Sequence, residues 1–445
     1  MAIQVQLRRG TAAQNNAFTG AIGEVSFDTT ANQIRVHDGS TAGGFKVGTG
    51  DFPNGTANVA LGNTALDALD GTSPGGNNVA VGHNALTANT TASNNVAVGS
   101  GALATSITAT DNTAVGYQAL NANTSGADNV ALGDEAGHDI TTGSRNTILG
   151  SKAGDAATTT DDSTLIGYGA GGGAIMTGHD NVAIGANALA AATSGNSNVA
   201  IGKDAGLAIS TGSNNVAVGH EALETEDGNG NNTAVGFQAL KTLNAGADGL
   251  NTAVGYLAAT AITTGLRNTI IGALAGDAAT TTDDTTLVGH GAGSAVMTGH
   301  DNVGVGSSSL SVATSGHSNV AVGKGTLSTN LTGNDNTAVG HEALQANTGN
   351  DNTAVGWGAL YTNTSAAGNT AVGRKALYSN TTGDQNVAVG YQAGEENTTG
   401  LGNTSIGYQA GNKITSGNNN TSVGRNALDA LTTGGANTAV GREAL

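Results

Sequence analysis

One short signature dominates this chain. The pattern N-[TV]-x-[VIL]-G returns 23 times from Asn58 onward, and 18 of the 22 intervals between its glycines are 17 residues long. Self-similarity at a short fixed period marks a stacked-repeat architecture, in which each unit buries its apolar face against the next. Numbered from the asparagine, position 1 is Asn in 21 copies, with Ser163 and Thr285 as exceptions. Position 4 is always Val, Ile or Leu, and position 5 is always Gly. Position 8 is Ala in 21 copies, and position 9 is Leu in 14, Gly in 8 and Ala once. The remainder is Thr, Ser, Asn, Gly and Asp, which is turn chemistry.

Seventeen residues are too few for a pair of helices but enough for two short strands and two turns. A glycine in every unit, among Asn and Thr runs, breaks any 3.6-residue stripe. Positions 2 and 4 face one way and position 3 the other. Both faces are small or apolar, so the strand is expected to be buried on both sides. The unvarying glycine points to a positive φ or to close approach of another backbone. An asparagine at one site per turn is expected to form a hydrogen-bonded ladder. These features predict a parallel β-solenoid. At about 4.8 Å per coil, 22 steps give a rod on the order of 100 Å. One coil hides one apolar face in its own lumen. The other needs a partner, and an identical chain about a symmetry axis is the simplest.

Composition narrows the function. Glycine is 72 of 445 residues and aromatics 3%, which suits a thin core of small side chains. The net charge of −18 argues against nucleic acid and against anionic membrane surfaces. There is no cysteine, hence no disulfide framework or thiolate metal site. The opening MAIQVQLRRG lacks a basic-then-apolar leader, and no apolar run approaches the roughly 18 residues of a membrane span. The expectation is a chain made in a cytoplasm, without membrane insertion.

The repeat N-[TV]-A-V-G-x-x-A-L resembles the head repeats of trimeric autotransporter adhesins, which are left-handed β-rolls of three chains. It is also similar to repeat arrays of bacteriophage tail fibres. The resemblance covers roughly residues 58–445 and implies a homotrimeric rod. The usual adhesin repeat is a few residues shorter, and a bacterial autotransporter would also carry a signal peptide, a stalk and a membrane barrel.

Residues 1–50 do not repeat. They read as a strand, a short polar turn or helix, then a hairpin with Thr30–Gln33 as its turn, and a third strand. Pro53 and neighbouring glycines mark a linker at 51–57. The segments Arg8-Arg9-Gly10-Thr11, Gln14, Gly23-Glu24, Asp28-Thr29 and Asp38-Gly39-Ser40-Thr41 resemble the N-terminal domain of phage major tropism determinant-like tail fibres. That resemblance implies a trimerising domain that docks to the virion tail or an adaptor protein. Arg8, Arg9, Gly10, Asp38 and Gly39 are then docking candidates, the alternative being that the arginines pair with Glu24 and Asp28. The tryptophans often found in such domains are missing.

Few residues suggest chemistry. Gly167, Gly169 and Gly172 satisfy G-x-G-x-x-G, but the repeat explains them. Asp161-Asp162 with His179-Asp180, and Asp283-Asp284 with His300-Asp301, read as solvated turns rather than a metal site. No cofactor and no catalytic set are expected. Position 6 collects most aromatics, and toward the C-terminus it runs His341, Trp357, Arg374, Tyr391, Tyr408, Arg425, Arg442. Stacked one per coil, these form an aromatic–cation ladder. It either meets a host glycan or other receptor, or covers a coil corner.

The sequence therefore reads as all-β, with a small N-terminal domain (1–50), a linker (51–57) and a shaft of about 23 coils (58–445). The expected function is that of a trimeric virion tail fibre used in host adsorption. Alternatives are a capsid or collar decoration fibre and a bacterial trimeric surface adhesin. Residues 437–445 stop inside a repeat, which predicts a processed chain or a covered last coil.

Overall fold

The computed structural model describes residues 8–21, 24–29, 33–36, 40, 42, 45–47, 58–68 and 75–445. The chain forms two compact units, Met1–Ser197 and Asn198–Leu445. The expected linker at 51–57 lies outside the described residues.

The first unit opens with a four-stranded sheet of order β1 (Arg8–Gly10), β2 (Val25–Asp28), β3 (Gln33–Val36) and β4 (Phe45–Val47). β1 and β2 run parallel, while β2–β3 and β3–β4 are antiparallel. The short helix α1 (Ala12–Asn16) connects β1 to the chain that returns as β2. Thr11 caps it: the Gln14 amide donates to the Thr11 hydroxyl, and Thr11 N–H donates to Gln14 Oε1 at 3.0 Å. This reciprocal box is why a polar five-residue segment stays helical.

The repeat forms eight three-residue strands from β5 (Val59–Leu61) to β12 (Val182–Ile184) in the first unit, and fifteen from β13 (Val199–Ile201) to β27 (Thr438–Val440) in the second. Within each unit successive strands pair parallel and in register, as in Val79↔Val96, Ala80↔Ala97 and Val81↔Val98. The fold is a parallel β-solenoid with a period near 17 residues. It has one strand per coil, where two were expected. The second half of the unit forms stacked turns, because positions 7 and 9 take left-handed backbone, as at Gln118 (φ 52°) and Leu120 (φ 49°). The turns still bond coil to coil, for instance Leu103 N–H to Ala119 O at 3.0 Å.

Three columns fill the lumen. Position 3 is fully buried (Ala80, Ala97, Ile148, Leu165), as are position 8 (Ala85, Ala102) and position 9 (Leu86, Leu103). A leucine at positive φ costs about 1–2 kcal/mol; burying its side chain returns about 1.5–3. At Gly137, Gly154, Gly171, Gly276 and Gly293 the exchange of Leu for Gly at position 9 is volume compensation. A Cβ on Gly154 would lie 2.8 Å from Leu165 Cδ1, and one on Gly137 would lie 2.9 Å from Ile148 Cδ1. Where a neighbouring rung brings a large side chain, position 9 gives up its own.

The asparagine ladder is present. Asn112 N–H donates to Asn95 Oδ1 (2.9 Å), and Asn112 Nδ2 donates to Gly126 O (2.9 Å) in the same coil's far turn. The two exceptions come with a compensating change. Thr160 and Thr282 stand three residues before Ser163 and Thr285, and their hydroxyls donate to Gly178 O and Gly299 O. Those are the carbonyls that an asparagine at position 1 would otherwise reach.

A further buried column at position 12 was not anticipated. Asn347, Asn363, Asn380 and Asn397 link amide to amide, with Asn363 Nδ2 to Asn347 Oδ1 at 2.6 Å and Asn380 Nδ2 to Asn363 Oδ1 at 2.9 Å. In the same register Glu226 is buried beside the levels of Ile209 and Leu243. Burial raises its pKa above the ordinary glutamate range, and hydrogen bonds from the Asn229 side chain and N–H offset this only in part. A carboxyl raised on folding leaves stability intact below its unfolded pKa and removes it as pH rises through the folded value. Glu226→Gln keeps the acceptor for Asn229. It is expected to match the native melting temperature below about pH 4 and exceed it at pH 7. An equal difference at both pH values would rule out the buried charge as its cause.

Candidate functional site

In the N-terminal sheet, Arg8 and Arg9 are exposed on β1. The Arg8 guanidinium lies over the Phe18 ring, 3.5 Å from its centroid. Glu24, one proposed partner, accepts a hydrogen bond from Ala21 N–H at 3.0 Å. Gly10 serves the fold: its carbonyl accepts from Asn15 Nδ2 (3.0 Å) and Thr29 N–H (2.9 Å). Asp38 and Gly39 lie outside the described residues.

The outward strand face is the broadest unusual surface. The strands were expected to be buried on both sides, yet within one chain only position 3 is. Positions 2 and 4 stand half-exposed along the coils, with Leu132 at 45%, Leu149 at 41% and Ile406 at 40%. They line up because the register is strict, so each unit carries a stripe of Val, Thr, Ile and Leu side chains.

The position-6 column stacks in the second unit. His341 and Trp357 rings lie 6.5 Å apart and 7° from parallel, and Tyr391 and Tyr408 lie 5.2 Å apart at 9°. Arg374 fills the gap, 5.1 Å from the Trp357 centroid and 5.8 Å from that of Tyr391. Arg425 lies 5.8 Å from Tyr408. Arg442 turns to Glu443 instead (3.2 Å). The stack extends beyond position 6 to Tyr361, Tyr378 and Lys375. Both tyrosines occupy position 10 of adjacent coils, and their rings stack at 4.9 Å. Lys375 lies 4.9 Å from Tyr378 and pairs with Glu395 at 3.2 Å.

The acidic turns are engaged within the coil wall. Arg145 grips Asp162 with two bonds (2.6 and 2.7 Å), and Arg267 grips Asp284 in the same way (2.7 Å each). These guanidiniums hold both carboxylates below their usual range. Asp161 accepts from Ser144 N–H, and Asp283 from Leu266 N–H. Asp204, His220 and Glu221 converge, with donor atoms within 4.8 Å of one another. Lys203 and Lys241 already neutralise the two carboxylates there. Gly167, Gly169 and Gly172 lie in the turn after β11 (Thr164–Ile166), where no helix follows to receive a phosphate.

Comparison with known proteins bears on the N-terminal sheet. Residues 5–41 match the family model for the Major tropism determinant N-terminal domain. A stretch of 52 residues is 50% identical to the tail fiber receptor-binding protein of Bordetella phage BPP-1. That match spans 12% of this chain and 14% of the relative. The family model thus covers the N-terminal sheet region and none of the coils.

Proposed function

We propose that this chain is a structural fibre of a bacteriophage tail. Residues 1–50 dock to the particle, and residues 58–445 form a shaft that projects toward the host for adsorption. The observation that carries the reading is a tail-fibre N-terminal module followed by solenoid coils with an exposed apolar stripe. Such a stripe is costly in water, and a threefold arrangement of identical chains would remove it at a shared axis. Arg8 and Arg9 are the docking residues in this reading. The work is mechanical, with no catalytic step and no cofactor.

Two measurements test it. Three chains of 43.0 kDa should give about 129 kDa by light scattering. A stable monomer would mean that the stripe is tolerated in water and would remove the trimer. Mass spectrometry of purified virions should find the chain as a stoichiometric component. Its absence from virions would end the fibre reading.

A further inference from the structure

The charge of the chain is unevenly placed. Residues 58–356 contain 24 Asp and Glu against 6 Lys and Arg, which equals the whole net charge of −18. Residues 357–445 contain five of each. The stacked aromatic–arginine column lies largely in that neutral stretch. Earlier in the second unit the lysines and arginines are mostly tied to carboxylates, as Lys203, Lys241 and Arg267 are. Arg374 and Arg425 make no ion pair among the described residues and meet only rings.

The rings set the mode of recognition. They are nearly parallel to one another, so their faces are covered by neighbours and only their edges meet solvent. A sugar cannot stack on a covered face. The guanidiniums, held within about 6 Å of ring centroids, keep N–H groups for an anion. Arg374 and Arg425 are three coils apart, about 14 Å at the usual strand spacing.

We infer that this column binds a linear acidic polysaccharide, with its carboxylates received by Arg374 and Arg425 and its hydroxyls by the edges of Tyr391 and Tyr408. The inference rests on the reading of the chain as a host-facing fibre. Widely spaced cations suit a polymer with one charge per sugar or per disaccharide. Duplex DNA carries a charge every ~1.7 Å, far denser than two guanidiniums about 14 Å apart can match. Upstream, the acidic coils repel any polyanion, which confines the ligand to the last coils.

The test uses the full chain with fluorescein-labelled polysialic acid, polygalacturonate and hyaluronate at low and high salt. At least one should bind, and binding should weaken at high salt. Arg374→Ala with Arg425→Ala should lose at least tenfold. The two Arg→Lys changes should lose less, since they keep the charge without the fork. Arg145→Ala, at a paired arginine, should change nothing. The inference is overturned by binding of none of the three, by an unaffected double variant with an unaltered protease-resistant fold, or by equal binding of dextran or duplex DNA. Failure here with the chain present in virions removes the ridge alone; absence from virions removes the fibre reading whatever the chain binds.

Discussion

Gly236→Ala is expected to disrupt its coil, at roughly 3–5 kcal/mol, whereas Gly291→Ala in the same unit should cost only about 1–2 kcal/mol. Both glycines have positive φ, so the contrast isolates what each backbone faces. Gly236 (φ +141°) would place a Cβ 2.2 Å from Gly255 O and 2.6 Å from Gly255 C, both main-chain atoms of the next coil. No side chain can rotate away, so the coils must separate and lose their rungs. Gly291 (φ +62°) has nothing within 4 Å of such a Cβ. Leucines already hold a similar backbone at φ 49°, as at Leu240 and Leu344. Limited proteolysis should find a new cut near residue 236 in the first variant only. Equal stability losses would show that close approach is not what fixes the glycine at position 5.

Asn319→Leu is expected to cost about 1–3 kcal/mol, from the one buried main-chain group it orphans, the Asn336 N–H; Gly333 O keeps a bond from Asn330 Nδ2 (2.9 Å). Asn319 Nδ2 donates to Gly333 O (2.8 Å), and its Oδ1 accepts from Asn336 N–H (3.1 Å). Leucine has a suitable volume but satisfies neither. The Thr282–Thr285 pair shows that the far carbonyl is met even where the asparagine is missing. Hydrogen exchange at the Asn336 amide should speed up along with the loss of stability. A loss under about 1 kcal/mol, less than one orphaned group costs, would mean that water replaces the ladder and that its role is not energetic.

The architecture was legible because its signal is repeated. A strand of three residues is hardly readable once, but 23 aligned copies of N-[TV]-x-[VIL]-G expose the period, the ladder and the special glycine together. What stayed hidden was geometry within the period. Position 9 looks like one more apolar site, yet its exchange of Leu for Gly follows side chains a coil away, such as Ile148 beside Gly137. The asparagines of position 12 were lost among turn residues of the same type, because only burial separates Asn363 from an exposed Asn350. The position-6 column was visible by register, but ring orientation was not. Tyr361 and Tyr378 are visible as aromatics outside position 6, but register alone does not show that they stack on each other and that Tyr378 stacks on Trp357.

The paired exchanges in the coil wall bear on how such a shaft changes length. Ser163 works with Thr160, and Thr285 with Thr282. Gly154 likewise needs the Leu165 of the following coil. A single coil lifted out and set elsewhere would lose its complement and leave a void, a clash or an unmet carbonyl. Cassettes that run across coil boundaries keep those relations intact, as the matching stretches RNTILGSKAGDAATTTDDSTLIGYGAG (145–171) and RNTIIGALAGDAATTTDDTTLVGHGAG (267–293) do, each covering parts of two coils. Lengthening or shortening by recombination should therefore succeed in multi-coil steps and fail at single-coil joints.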